Sequence, residues 1–131
     1  MVNQITTAAI TSFIKSNKIP FAATQPKLSI PIIVRICRKM SHGIKFDDIK
    51  LCDDVIIDGH HRYLCALITG FDIGHVLSNK TSATKVIGWD DIEFDENDWD
   101  TPAKIAYLNE LDASYNNLSV EFINQITLGE E

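Results

Sequence analysis

Long apolar runs are missing from this chain, and none approaches the roughly 18 consecutive apolar residues that a membrane-spanning helix needs. Cysteine is scarce as well: Cys37, Cys52 and Cys65 are odd in number and widely spaced, which argues against a disulfide framework and fits reduced thiols. No CxxC or HxxxH pair occurs, His60 and His61 are adjacent, and His42 and His75 are remote, so the spacing of a zinc site is lacking. G-x-S-x-G is absent too, and with it the sequence signature of a serine nucleophile on a strand-to-helix elbow. The opening stretch "MVNQITTAAITSFIKSNK" is too polar for the core of a signal peptide, and the expectation is a cytoplasmic protein. No repeat, low-complexity tract or long linker divides the 131 residues, so one domain spanning 1–131 is expected, long enough to bury a core.

Positive charge is scarce in one place only. Residues 1–85 carry 11 Lys/Arg against 6 Asp/Glu, whereas residues 86–131 carry 1 against 12, for a net charge of −6. An acidic chain is a poor ligand for duplex DNA, whose affinity rests on neutralising phosphates, so DNA is not expected as a partner. The basic first part can still offer a local surface to a small phosphorylated ligand.

The hydrophobic pattern predicts alternating elements. Ile5, Ala9 and Phe13 recur at helical spacing within 4–16, and a proline-punctuated extended stretch follows. In "SIPIIVRICRKMSHG", Ser29 stands as an N-cap, Pro31 falls in the first turn, Ile32, Ile36 and Met40 share a face, and Gly43 supplies the stop. "IKFDDIKLCDDVIIDG" has strand character around the turn-prone pair Asp53-Asp54, with Val55–Ile57 suited to a buried strand. Leu64, Cys65, Leu67 and Ile68 then form a helical stripe ended by Gly70. "FDIGHVLSN" and "ATKVIGWDDIEF" are expected to add strands. Thr101-Pro102 opens a helix with Ile105, Leu108 and Leu111 on one side, and "SVEFINQITL" closes the chain as another. The class is α/β or α+β, a small mixed sheet flanked by helices, with a core over about 20–88 and a helical acidic C-terminal extension over about 89–131.

The densest chemistry lies in "IIDGHHRYLC", residues 56–65. A chain leaving a strand and turning at once into a helix directs free N–H groups outward, and with the helix dipole these make a site for anions. Gly59 permits close approach, Arg62 offers a planar fork for phosphate oxygens, and His60 and His61 can donate beside it. Asp58 at the strand end is suited to holding Mg²⁺, orienting a histidine, or acting as a general base. A plain capped turn with solvated His and Arg is the competing reading.

"VIIDGHHRYLCALITG" resembles the signature segment of the ParB/sulfiredoxin superfamily, and the helix-then-strand order of "IPIIVRICRKMSHGIKFDDIKL" is similar to that fold. The resemblance covers roughly residues 20–80. It implies a nucleotide-binding protein, with ATP or CTP and Mg²⁺ as cofactors and, in an enzyme, phosphoryl transfer or hydrolysis. It further implies that Gly59, His60, His61 and Arg62 contact phosphates, that Asp58 and His61 are catalytic, that Asp58 holds the metal, and that Lys27 and Ser29 assist. His60 stands where sulfiredoxin has its catalytic cysteine, so sulfinate reduction is not expected. The partition proteins' Glu-Arg-Arg loop and following DNA-binding helices have no counterpart here.

"WDDIEFDENDWD" holds seven acidic residues in twelve and both tryptophans of the chain. It lacks the spacing and the glycine of an EF-hand loop. It reads as a solvated acidic loop or, more sharply, as a protein-binding surface with Trp89 and Trp99 as anchors inside a charged rim. The second reading makes the chain a non-enzymatic interaction module that neutralises a basic partner, as toxin-neutralising immunity proteins and antitoxins do. Arg35, Arg38 and Lys39 read as a solvated basic face.

Overall fold

In the computed structural model, which describes residues 5–129, the elements alternate as the pattern predicts. Helix α1 (Thr7–Ser16) opens where the Thr6 hydroxyl accepts the Ala9 N–H at 3.1 Å, and it buries Ile10 and Ile14 one turn apart. The expected start at Gln4 lies outside the described residues. The proline-rich stretch that follows is extended, and its Ala22 and Ala23 form single bridges to Val55 and Ile87.

Strand β1 (Lys27–Ser29) runs straight into α2 (Ile30–Ser41), whose first turn carries Pro31. Next come β2 (Ile49–Cys52) and β3 (Val55–Asp58), an antiparallel hairpin that turns through Asp53 at φ 54°. Aspartate tolerates this left-handed conformation better than most residues, so the Asp-Asp pair marks the turn. After α3 (His60–Thr69), β4 (His75–Leu77) returns parallel to β2, giving the order β3-β2-β4. Strand β5 (Glu93–Asp95) pairs in parallel with β1, then α4 (Pro102–Asn116) and α5 (Val120–Leu128) close the described chain. The architecture is an α/β fold with a small mixed sheet flanked by helices. Among the described residues no helix is long and apolar enough to cross a membrane.

The main core forms where α2 packs on α3 over the sheet, with Ile33, Cys37 and Met40 meeting Leu64 and Cys65. A second cluster joins Ile44 to Ala113, Ile123 and Ile126. Large-to-small truncation at fully buried positions such as Ile33 or Leu64 typically costs about 2–5 kcal/mol.

Four expectations need correcting. The core face of α2 is Ile33–Cys37–Met40, while Ile32 and Ile36 are half-buried and line a cleft. That helix has apolar residues on two adjoining faces, and periodicity alone does not choose between them. "ATKVIGWDDIEF" is not one strand: a bridge at Ile87, a 3-10 turn at Trp89–Asp91 and β5 divide it. Leu111 does not share a buried side with Ile105 and Leu108, because α4 turns Asn109 and Ala113 inward and leaves Leu111 exposed. Finally, residues 93–128 are woven into the fold rather than appended to it, since β5 pairs with β1 and α5 packs on α2.

Candidate functional site

The turn from β3 into α3 sits at one end of a cleft of about 300 Å³, walled by α2, the first turn of α3 and α4. Gly59 caps α3 at φ 95°, a conformation that side-chain-bearing residues rarely adopt. A Cβ there would come within 2.6 Å of Ile49 and 2.9 Å of Arg62. The glycine therefore answers to backbone geometry and to packing against the protein's own side chains.

Both histidines serve the fold as acceptors. Nε2 of His60 accepts the Thr24 N–H at 2.9 Å, and Nε2 of His61 accepts the Ser29 N–H at 3.0 Å. A ring nitrogen that accepts a hydrogen bond carries no proton, so each imidazole is the neutral Nδ1–H tautomer. Burial, opposed in part by the charge of Asp58, lowers the His60 pKa to about 4. His61 is likewise lowered to about 4, by burial first and by neighbouring His60 second, against the pull of Asp100. Trp99 meets the His61 ring edge-on, at 5.5 Å between centroids. His60 is buried, and its Nδ1 has no hydrogen-bond partner among the described residues.

Arg62 is turned toward the chain itself, donating to the carbonyl oxygens of Asp47 at 2.9 Å and Asp48 at 3.3 Å. Its other terminal nitrogen stands 3.8 Å from Asp58, whose side chain is otherwise exposed. The remaining cations of the cleft are matched as well. Arg35 forks onto Asp98 at 2.6 and 2.9 Å and reaches Asp100 at 3.1 Å. Burial alone would lower the Arg35 pKa, but the bonds and charge of Asp98, with those of Asp100, outweigh it and hold the value above its ordinary level. The same bond to Arg35 pulls the Asp98 carboxyl below its usual range. Lys39, almost fully buried, meets Asp112 at 2.6 Å. Arg38 donates to the Thr127 carbonyl at 3.0 Å. The basic face expected to be solvated is thus the surface on which the acidic C-terminal part is anchored.

The other expected phosphate contacts are also occupied. Lys27 faces Glu93 at 3.4 Å and Asp95 at 3.9 Å across the β1–β5 pair. Ser29 is fully buried and does not cap α2 with its hydroxyl, which donates to the Asn97 carbonyl at 3.0 Å.

The expectation of a nucleotide- or ATP-binding loop is therefore corrected. His60 and His61 present unprotonated Nε2 atoms to backbone N–H groups, and Arg35, Lys39 and Lys27 are paired with carboxylates of the same chain. Asp58 has Arg62 as its nearest ionic neighbour, and no three His, Cys, Asp or Glu side chains converge to hold a metal ion among the described residues.

The two tryptophans part company. Trp89 belongs to the core, its indole N–H donating to the Phe21 carbonyl at 2.8 Å and its rings packed near Tyr63, which corrects its expected role as a surface anchor. Trp99 is partly exposed, with its indole N–H bonded to Asp95 at 2.9 Å, a bond that leads the causes lowering the Asp95 pKa.

What sequence reasoning missed lies on α4. Tyr107, Leu111 and Tyr115 recur at i, i+4 and i+8 and are 55%, 46% and 60% exposed. They form a stripe roughly opposite the buried Asn109 and Ala113. The signal was present in the spacing, but any apolar stripe on a helix reads first as a core face. Comparison with known protein families, curated proteins and solved structures finds no match to this chain.

Proposed function

We propose that this chain is a protein-binding module that acts through its acidic, helical C-terminal part. The observation that carries this reading is the exposed stripe Tyr107–Leu111–Tyr115 on α4; Leu118 in the turn between α4 and α5, and Phe122 in α5, are exposed as well. Aromatic and leucine side chains in a row lose free energy by facing water, and a contiguous patch of them marks an interaction surface. Exposed charges of both signs without an ion-pair partner among the described residues, Lys104 and Glu110 on α4 and Asp47 in the adjoining hollow, are available beside the stripe for partner choice. The Asp-Gly-His-His-Arg turn then has a scaffolding role, joining α3 to the segments that precede α2. As a fold-level proposal, the strand–glycine–helix order and the preceding helix and strand support kinship with the ParB/sulfiredoxin core. The free thiols of Cys37, Cys52 and Cys65 support a reducing, cytoplasmic setting.

The test is site-specific photocrosslinking of the full chain in cells, with a benzophenone amino acid replacing Leu111 or Tyr115 and, as a control, exposed Leu77 on β4. A discrete adduct from positions 111 and 115 only is expected. Adducts that are absent, or identical from position 77, would sink the reading.

A further inference from the structure

The cleft between α2, the first turn of α3 and α4 is balanced in charge within its own lining. Three cations and three carboxylates line it, and each cation has one of those carboxylates beside it: Arg35 with Asp100 at 3.1 Å, Lys39 with Asp112 at 2.6 Å, and Arg62 with Asp58 at 3.8 Å. An ion entering the cleft would give up hydration and find no unmatched counter-charge among these groups.

The rest of the lining has two parts. Ile32 and Ile36 of α2, Phe46, and Leu108 of α4 are half-buried around the cleft and give it an apolar body. At the turn, the groups left over are donors. Gly59 provides no side-chain cap for α3, so the N–H groups of His60, His61 and Arg62 have no acceptor within the helix. Both histidines direct Nε2 to residues outside the cleft, Thr24 and Ser29, and keep their proton on Nδ1. His60 is 2% exposed, and its Nδ1, on the side of the ring away from Thr24, has no hydrogen-bond partner among the described residues. A buried donor without an acceptor is uncommon and costly.

We infer that this cleft binds a small uncharged molecule with an apolar body and a carbonyl or hydroxyl oxygen. The body would lie among Ile32, Ile36, Phe46 and Leu108, and the oxygen would accept from the first turn of α3 and from His60. A volume of about 300 Å³ stands at the lower end of the range for small-molecule sites. Leu111 and Tyr115 lie outside the cleft, so this site and the partner surface on α4 stand or fall separately.

The test is a ¹H–¹⁵N NMR titration of the full chain with probes that share a phenyl ring: acetanilide and 2-phenylethanol, both uncharged, then phenyl phosphate and benzylamine. Saturable shifts at the His60, His61 and Arg62 amides are expected from an uncharged probe, with a Kd of about 1 mM or below. Phenyl phosphate and benzylamine should bind at least about fivefold more weakly, because the cleft offers neither a free counter-charge. Leu108→Trp and, separately, Ile36→Trp fill the cleft from its two walls, and each should weaken the uncharged probe about tenfold or more. Leu77→Ser on β4 should leave binding unchanged. Nuclear Overhauser contacts from the probe's ring to the methyl groups of Ile32, Ile36 and Leu108 in the unaltered chain are expected as well, and they do not depend on how the tryptophan variants fold. No saturable shift from either uncharged probe, or contacts to methyl groups elsewhere, would overturn the site. Phenyl phosphate or benzylamine binding more tightly than both uncharged probes would overturn the ligand class.

Discussion

The turn at residues 58–62 and the outer face of α4 differ in a way their compositions conceal. The turn is rich in groups that do chemistry, yet the hydrogen-bonding and ionic capacity of its histidines and arginine is largely taken up by the chain itself. The α4 face carries ordinary apolar side chains, and the fold leaves them uncovered. Residue type therefore indicates what a side chain is able to do, whereas its partners decide whether that capacity remains for a ligand. Here the acidic C-terminal part consumes the cations of α2, and with them the positive field that an anion would need.

The largest effect that bears on this contrast is acidification. Both histidines titrate near pH 4 in the folded chain, below the ordinary value of 6.5, so as pH falls the unfolded chain takes up protons first. Their contribution is complete above about pH 6.5 and drains away between there and about pH 4, at a cost of roughly 3 kcal/mol for each at the acid end. Urea denaturation across pH 4–8 should show this loss, and a His60→Gln/His61→Gln variant, whose amide oxygens accept without titrating, should show much less of it. A loop of protonated anion donors would instead gain stability on acidification.

Next in size is the anchor of the acidic part. Asp112→Ala strands the buried Lys39 ammonium and should cost about 3–5 kcal/mol in denaturant unfolding. Adding Lys39→Met should recover most of that loss, because an apolar side chain of similar length needs no counter-charge. Equal losses in the single and double variants would mean that Lys39 is not held by Asp112.

Gly59→Ala follows. The left-handed backbone and the approach to Ile49 should together cost roughly 1–3 kcal/mol of stability. Seen in a melting curve of the protein alone, that loss would assign the glycine to the fold.

The smallest effect is the most telling for α4. Tyr107→Ser, Leu111→Ser and Tyr115→Ser should each change stability by no more than about 0.5 kcal/mol, since these side chains are already exposed. Losses of several kcal/mol would show that the stripe is covered by the protein itself.

Much of the fold could be read from local signals that have one physical meaning. Pro102 after a capping Thr101, Gly43 after the second helix, Asp53 in a tight turn and glycines at helix ends are fixed by backbone geometry, and the corresponding elements form where those signals lie. What could not be read depended on tertiary partners. Whether Ile33 or Ile32 faces the core depends on where α3 lies, and whether Trp89 is an anchor or a core residue depends on a carbonyl at Phe21, far away in sequence. The same holds at the turn. Asp58, Gly59, His60, His61 and Arg62 do gather along one cleft, as their adjacency implied, but their roles are set by Thr24, Ser29, Asp47 and Asp48. Periodicity and motif say nothing about those pairings.

The scaffolding role of the turn depends on the protonation state of His60 and His61, and ¹⁵N-detected NMR titration of the imidazole rings measures it directly. The predicted result is two neutral rings at pH 7, each with a proton on Nδ1 and none on Nε2, titrating near pH 4 and unmoved by added inorganic phosphate. Rings protonated on Nε2, or titrating at or above the ordinary 6.5 and shifting upward with phosphate, would contradict the account and return the turn to the role of an anion site.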